Sequence, residues 1–226
     1  MDIDTFKLKF EEIKAKGFVR SLRNGPTGVG HTLEQLLELN ENNIALPDID
    51  NIELKAHRAN SNSLITLFTF NHKAWQMKPL DAIRKYGSFD KNGRQGLYYT
   101  MSQRPNSAGL FLHIDNTSIA VRHIDGNIIV CWSLKNLTER FIQKIPALLF
   151  VNALTEERDG KEYFHYNRAQ IMRGTSPELL ANQFMEEHIV VDLRLHDKGS
   201  MARNHGTGFR AYEANLPALF SEIKDI

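Results

Sequence analysis

The stretch PDIDNIELKAHR, residues 47–58, decides the fold. Apolar and polar residues alternate through IELKAH, residues 52–57, and this period of two predicts a β-strand. Successive side chains of a strand point to opposite faces, so Glu53, Lys55 and His57 share one face. The strand therefore presents a carboxylate, an ammonium and an imidazole side by side, directly after an acidic loop.

The residue types around this strand suit the hydrolysis of a phosphodiester. Asp48 and Glu53 would supply the oxygen ligands that Mg²⁺ prefers, so we expect them to be the metal ligands. The metal would neutralise the phosphate and lower the pKa of a bound water. Lys55 would orient the attacking water and stabilise the charge that develops in the transition state. Asp50 competes with Asp48 as the ligand, because it also lies near the strand.

A structural interpretation of the same residues is also open. Two acids and a lysine at this loose spacing occur by chance in many ordinary chains. An exposed strand face that carries Glu, Lys and His is equally ordinary. The sequence on either side of the strand is therefore needed to distinguish a catalytic site from a solvated strand face.

The remaining chain predicts a mixed α+β fold in one two-lobed unit, because strands and helices follow no regular βαβ order. Turns are predicted at Asp125-Gly126 and Asp159-Gly160. Helices are predicted from a cap at Asp4 to near Gly17, over about 32–40 and 134–145, from Pro177 to about Glu187, and in LPALFSEI, residues 216–223. Further strands are predicted at 64–70, 109–115, 118–124, 127–134, 146–154, 161–172 and 189–196.

Composition limits the class of protein. The chain has 226 residues, 42% of them hydrophobic, and a net charge of +1. No run of 18 apolar residues is present, so we expect no membrane span. The single cysteine, Cys131, cannot form an internal disulfide, and no cysteine–histidine spacing suits zinc. We therefore expect a cytoplasmic protein in which Cys131 is a buried strand residue.

A second informative stretch is DLRLHDKGSMARNHGTGFR, residues 192–210. Alternation places Asp192, Arg194 and His196 on one strand face, and a glycine-containing loop follows them. Arginine suits guanine and asparagine suits adenine, whereas a basic surface loop without function is the alternative. The candidate DNA-contacting residues are Arg194, His196, Arg203, Asn204, His205, Thr207 and Arg210.

The segment from Thr27 to Arg58 resembles the MutH-like restriction endonucleases of the MvaI/BcnI type, which belong to the PD-(D/E)xK nuclease superfamily. The shared features are the helix start GVGHTLE, residues 28–34, and Pro-Asp, four residues, then Glu-x-Lys. The similarity continues through residues 63–69 and 85–87 and into VDLRL and HGTGFR. It is loose from about 88 to 170.

The resemblance implies a PD-(D/E)xK core sheet flanked by helices, with two lobes around a DNA cleft. The catalytic lobe would cover about 1–90 and the recognition lobe about 91–226. It also implies that Asp48, Glu53 and Lys55 are catalytic and that Glu34 supports the metal site. HGTGFR is similar to the loop with which the family reads bases.

The activity that the resemblance implies is that of a type II restriction endonuclease. Such an enzyme would be a Mg²⁺-dependent monomer that cuts double-stranded DNA at a short, GC-rich, nearly palindromic site. A cognate DNA methyltransferase would accompany it. Two alternatives stay open: a MutH-like nicking endonuclease of mismatch repair, and a DNA-binding protein whose nuclease site is a relic.

Overall fold

Two compact units are built from interleaved segments of the chain. The computed structural model describes residues 1–39, 49, 51–59, 61–71 and 74–226. Unit 1 comprises residues 1–63, 143–175 and 220–226, and unit 2 comprises 64–142 and 176–219. The boundary expected near residue 90 falls inside unit 2, because strands distant in sequence pair within unit 1. Which unit cleaves and which reads DNA stays a prediction.

The secondary structure is mixed, as the sequence predicts. The helices are α1 (Ile3–Ala15), α2 (Gly28–Leu36), α3 (Pro79–Tyr86), α4 (Leu134–Lys144) and α5 (Pro177–Met185), followed by a 3-10 helix (Glu213–Leu219). The first strands are β1 (Val19–Arg20), β2 (Glu53–Arg58), β3 (Ile65–Thr69), β4 (Ser88–Phe89), β5 (Gln95–Met101), β6 (Leu110–Ile114) and β7 (Ser118–His123). The later strands are β8 (Ile128–Ser133), β9 (Ala147–Arg158), β10 (Lys161–Arg173), β11 (Ile189–Asp197), β12 (Ala202–Asn204), β13 (Gly208–Ala211) and β14 (Glu222–Asp225).

The sheet of unit 1 has the order β1-β10-β9-β2, and β14 also pairs with β10. Strands β9 and β10 form the predicted hairpin, in which Asp159 and Gly160 have φ values of 51° and 67°. Such positive angles suit a two-residue turn between twisted strands. Strand β2 is parallel to β9, and Glu53 is paired with Leu148. The strand predicted from IELKAH is thereby confirmed.

The core of unit 1 lies where α1 and α2 contribute apolar side chains against the sheet. Helix α1 buries Phe6, Phe10 and Ile13, the residues whose spacing predicts its inner face. Its cap is Asp2 rather than Asp4, because Asp2 accepts a hydrogen bond of 2.7 Å from the Thr5 backbone. Helix α2 starts and ends about four residues before its predicted bounds, so part of the expected NGPTGVG loop is helical.

Unit 2 holds an antiparallel sheet of order β3-β13-β11-β5-β4, with β12 also paired to β11. The predicted meander is confirmed as the separate sheet β6-β7-β8. Phe209 is fully buried in this unit, and its ring stacks on Phe68 and meets Trp132 and Phe184 edge-on. Cys131 lies in β8 as predicted, although it is only half-buried.

The helix predicted in LPALFSEI is wrong. Pro217 lies inside a 3-10 helix, and the chain then extends into β14, which pairs with β10. Proline lacks the backbone donor that a longer α-helix needs, and the partner strand supplies hydrogen bonds to the following residues. Among the described residues no helix is both long and apolar enough to cross a membrane.

Candidate active site and recognition segment

Glu53 is the first residue of β2 and is only 4% exposed. The neighbouring Leu54 belongs to the apolar core, so alternation turns Glu53 and Lys55 to the opposite face of the sheet. The parallel pairing places Phe150 of β9 beside Lys55 on that face. Because the glutamate is buried, the interpretation of this strand as an exposed, solvated surface is wrong.

The Glu53 carboxylate lies between two ammonium groups. Lys55 Nζ donates to Oε1 at 3.0 Å, and Lys144 Nζ lies 2.7 Å from Oε2. The Glu53 side chain is 6% exposed and each lysine side chain 19%. A carboxylate this deeply buried is stable only with charged partners, which both lysines supply.

Oxygen Oε2 of Glu53 fits a metal ligand. It is buried and accepts no hydrogen bond of acceptable geometry from the described part of the chain. The Lys144 ammonium therefore forms an ion pair with this oxygen without a well-aligned hydrogen bond. A carboxylate oxygen with such an unfilled lone pair is the type of donor that hard divalent cations take. Asp48, the expected second ligand, and its competitor Asp50 lie outside the described residues. Within those residues, no three His, Cys, Asp or Glu side chains cluster as a metal site.

Glu34 lies half-buried on α2, and this helix packs against β2. Its surroundings include Tyr166, whose hydroxyl donates 2.7 Å to the Val29 carbonyl. Burial raises the pKa of Tyr166 well above its ordinary value, and the nearby Glu34 carboxylate raises it further. The fold thus brings Glu34 to the strand of Glu53, while its support of a metal stays a prediction.

Arg58, at the end of β2, joins three parts of unit 1. Its guanidinium binds both carboxylate oxygens of Glu162 at 2.6 and 2.7 Å. It also donates to the carbonyls of Gly25 and Pro26, each at 3.0 Å, and lies over the Phe164 ring. These contacts hold the loop that leads into α2. No local sequence pattern marks this role, because the hydrogen-bond partners of Arg58 lie 32 to 104 residues away along the chain.

In unit 2 the predicted polar face of β11 is present. Asp192, 6% exposed, accepts hydrogen bonds from Thr100 at 2.6 Å and from Arg210. Arg210 donates a further bond to the Leu64 carbonyl. The buried carboxylate of Asp192 therefore holds Arg210 in one orientation. Arg210 is the residue predicted to bind guanine. Sequence alternation identifies Asp192 on this face but gives no sign of its partners on β5 and β13.

His196 and His205 meet on the same face. The Nδ1 atom of His196 lies 2.9 Å from the Tyr98 hydroxyl and 3.3 Å from Nε2 of His205. Burial, with further contributions from charged groups including Arg94 and His205, lowers the pKa of His196 below its ordinary value of 6.5. The neutral imidazole is therefore favoured, as a hydrogen bond between two histidines requires.

The other candidates of this segment differ in exposure. Arg203, Asn204 and His205 are exposed. Arg194 is half-buried, and its Nε has no hydrogen-bond partner among the described residues. Thr207 is fully buried and bound to Asn71 through both its hydroxyl and its backbone N–H, so its contacts here are structural.

Gly208 lies between the Arg194 and Arg210 side chains. A Cβ atom at this position would lie 3.7 Å from both an Arg194 nitrogen and an Arg210 methylene, which are ordinary van der Waals distances. The two guanidinium-bearing side chains therefore lie near the same point of the sheet. This closeness makes them a pair of candidates for neighbouring base edges.

The fold is that of a restriction endonuclease, a site-specific deoxyribonuclease. The chain is similar to a solved "Restriction endonuclease MvaI-cognate DNA substrate complex", at 26% identity and a TM-score of 0.82 over 100% of this chain and 99% of that chain. It is also similar to a solved "Restriction endonuclease MvaI in the absence of DNA", at 25% identity and a TM-score of 0.55 over 99% and 97%.

The family model of the MvaI/BcnI restriction endonucleases matches residues 7–220. The chain belongs to the MvaI/BcnI restriction endonuclease family, as its resemblance predicts. No curated protein sequence matches the chain significantly.

Proposed function

We propose that this endonuclease hydrolyses phosphodiester bonds of double-stranded DNA at a short specific site and that it uses Mg²⁺. The observation that carries the proposal is the buried Glu53 carboxylate, whose Oε1 accepts from Lys55 and whose Oε2 accepts no hydrogen bond from the described residues. The similar MvaI structure is a complex with a cognate DNA substrate, and this supports DNA as the substrate here.

Glu53 and Asp48 would hold the metal, and Asp50 is the alternative to Asp48. When bound, Mg²⁺ supplies charge neutralisation at the phosphate and a water of lowered pKa. Lys55 would then orient the attacking water and stabilise the charge that develops on the phosphate oxygens. Glu34, on the helix that packs against β2, would support the metal ligands.

The polar face of unit 2 would read the sequence. Arg194 and Arg210 lie close together, and two adjacent arginines suit the O6 and N7 acceptors of neighbouring guanines. Further polar contacts to the DNA would come from the same segment, through His196, Arg203, Asn204 and His205. This composition supports a GC-rich, nearly palindromic target, in agreement with the family resemblance.

The biological setting belongs to the same proposal. A single catalytic centre per chain supports action as a monomer, which would cut the two strands in succession after rebinding. The host would need a methyltransferase that protects the same site in its own DNA. Because its substrate is DNA, we place the enzyme in the cytoplasm.

Plasmid cleavage tests the proposal against its alternatives. Supercoiled DNA with Mg²⁺ or Mn²⁺ should become linear, with little cutting in Ca²⁺, because the looser shell of calcium activates water less well. Nicked circles alone would instead identify a strand-nicking enzyme, and a mobility shift without cutting would identify a DNA-binding protein.

Full activity in excess EDTA would exclude the metal mechanism. Sequencing the ends of the products would give the target site and cut position.

A further inference from the structure

Lys144 has a place at the cleavage site that the nuclease motif does not assign. It is the last residue of α4, lies in unit 1, and contacts Glu53 across 91 residues of sequence. Its Nζ lies 2.7 Å from Oε2, the same oxygen that a metal would take. Only 19% of its side chain is exposed, so the ammonium is held rather than free in solvent.

The parallel sheet explains how a distant lysine reaches this position. Strand β9 begins at Ala147, and its next residue, Leu148, is paired with Glu53. The residues immediately before β9 therefore arrive at the start of β2. Ile145 is fully buried and anchors the chain between Lys144 and the strand. The position of Lys144 is thus fixed by the fold.

The Glu53 carboxylate contacts an ammonium group at each of its two oxygens. Lys55 donates to Oε1, and Lys144 lies at Oε2 of a group that is 4% exposed. A divalent cation that takes Oε2 therefore meets an ammonium already beside that oxygen, and like charges at this distance repel each other.

We propose that Lys144 is a positioning residue that acts through Glu53. It holds Oε2 in the metal-free enzyme and competes with the divalent cation for that oxygen. The ammonium thereby sets the affinity for the metal and keeps the carboxylate in its orientation until the cation binds. The inference rests on the proposed use of a metal at Glu53.

Binding of Mn²⁺ without DNA tests the competition directly, with free Mn²⁺ measured by electron paramagnetic resonance. Lys144→Gln removes the charge but keeps a polar side chain beside Oε2, and it should bind Mn²⁺ about tenfold more tightly than the wild type. This is the scale of one like charge removed from a few ångströms away when water screens it fully, so the burial of Glu53 makes it the smallest change expected. Lys144→Arg keeps the charge and should bind like the wild type.

Lys135→Gln is the matched control on the same helix. Its side chain is 83% exposed and pairs only loosely with Glu139 at 3.9 Å, so Mn²⁺ binding should not change. Unchanged or weaker binding by a folded Lys144→Gln would overturn the competition. Absence of Mn²⁺ binding by the wild type would instead contradict the proposed metal function itself.

A measurement on the wild type avoids any folding defect of the variants. Reductive methylation of lysine amines can be mapped by mass spectrometry with and without Mg²⁺. If the cation displaces the ammonium, modification of Lys144 should rise with Mg²⁺ relative to that of Lys135. Equal modification of Lys144 in both conditions would contradict the displacement.

Discussion

Each unit buries a carboxylate against cations, but the number of cations that contact it among the described residues differs. In unit 1, Glu53 meets two ammonium groups, from Lys55 and Lys144. In unit 2, Asp192 meets one guanidinium, from Arg210, and a neutral hydroxyl from Thr100. The first carboxylate thus contacts two lysines, whereas the second fixes a single arginine.

This difference suits two tasks. Ammonium groups attract any phosphate, and phosphate contacts supply affinity without sequence information. An arginine that is paired with a buried carboxylate is held in one orientation, which suits recognition of a base edge. We infer that positive charge near Glu53 favours phosphate binding and that the fixed orientation of Arg210 favours base recognition. Each of the following changes tests that contrast.

Removal of Lys55 should have the largest effect. Lys55→Ala should lower the cleavage rate by at least about a thousandfold, or about 4 kcal/mol, because the developing charge loses its stabilising ammonium. Specific DNA binding should survive. Single-turnover cleavage and a filter-binding titration would measure the two effects.

Lys161→Ala, at an exposed position of the same unit, is the control and should cleave normally. A rate within tenfold of wild type would remove Lys55 from the chemistry.

The second change identifies the other acid of the cleavage site. Asp48→Asn should abolish cleavage while specific binding is kept or tightened, because a charge that would face phosphate is lost. Asp50→Asn should remain active. Comparison of the two variants in the same plasmid assay decides the ligand. An inactive Asp50→Asn beside an active Asp48→Asn would reverse the assignment without changing the fold.

A smaller effect is expected for Arg210 in unit 2. If it binds guanine in a bidentate manner, Arg210→Ala should cost about 1–3 kcal/mol on the cognate site and much less on unrelated DNA. A phosphate contact would weaken both about equally and flatten the salt dependence by about one charge. Titrations on cognate and scrambled duplexes at two salt concentrations would distinguish these outcomes.

The structure supplies the control for this experiment. Removing Arg210 alone leaves Asp192 as a buried charge without its partner, which destabilises the fold for reasons unrelated to DNA. The double variant Arg210→Ala with Asp192→Asn removes that charge too. If a stable double variant still fails to discriminate the cognate from the scrambled duplex, the loss is due to the missing base contact. If it discriminates between the two duplexes again, the defect of Arg210→Ala was due to misfolding.

The smallest effect concerns pH and the paired histidines. Because the pKa of His196 is lowered in the folded protein, the unfolded chain takes up its proton first as pH falls below 6.5. Stability should therefore decline below that pH. The groups that face His196 include Tyr98, Arg94, His205, Lys198 and Arg203.

Thermal unfolding between pH 7.5 and 5.5 would measure this decline. His196→Gln should lose less stability over the range than the wild type, because it has no proton to take up. His113→Gln, a change on the separate meander sheet, should behave like the wild type. Parallel pH profiles for wild type and His196→Gln would contradict a contribution from this imidazole.

Local signals were sufficient for much of the fold. Ser176 caps α5 with Pro177 at its first turn, and Asp159-Gly160 forms a hairpin with the positive φ angles such a turn requires. Glu53 and Lys55 alternate on their strand as the sequence predicts. Each of these features depends on residues only a few positions apart, so the chain itself carries the information.

Features that depend on which β-strands pair could not be predicted from local sequence patterns. The end of LPALFSEI becomes a strand because β10 is available to pair with it. Lys144 reaches Glu53 only through the parallel pairing of β9 with β2. Likewise, Arg210 finds Asp192 through the register of β13 on β11. Local patterns in a single sequence do not reveal which strands become neighbours.

The interleaved order of unit 1 has a consequence for how the nuclease is made. A ribosome completes β2 at Arg58, but β9 starts only at Ala147, and β14, the last strand on the sheet, starts at Glu222. Pairings across such long stretches form slowly, since the intervening loop must first be closed. The nascent chain therefore displays Glu53 without Lys144, and the proposed cleavage centre around Glu53 is assembled only after most of the polypeptide has been synthesised. Translation itself delays the moment at which the enzyme becomes able to cut the DNA of the cell that makes it.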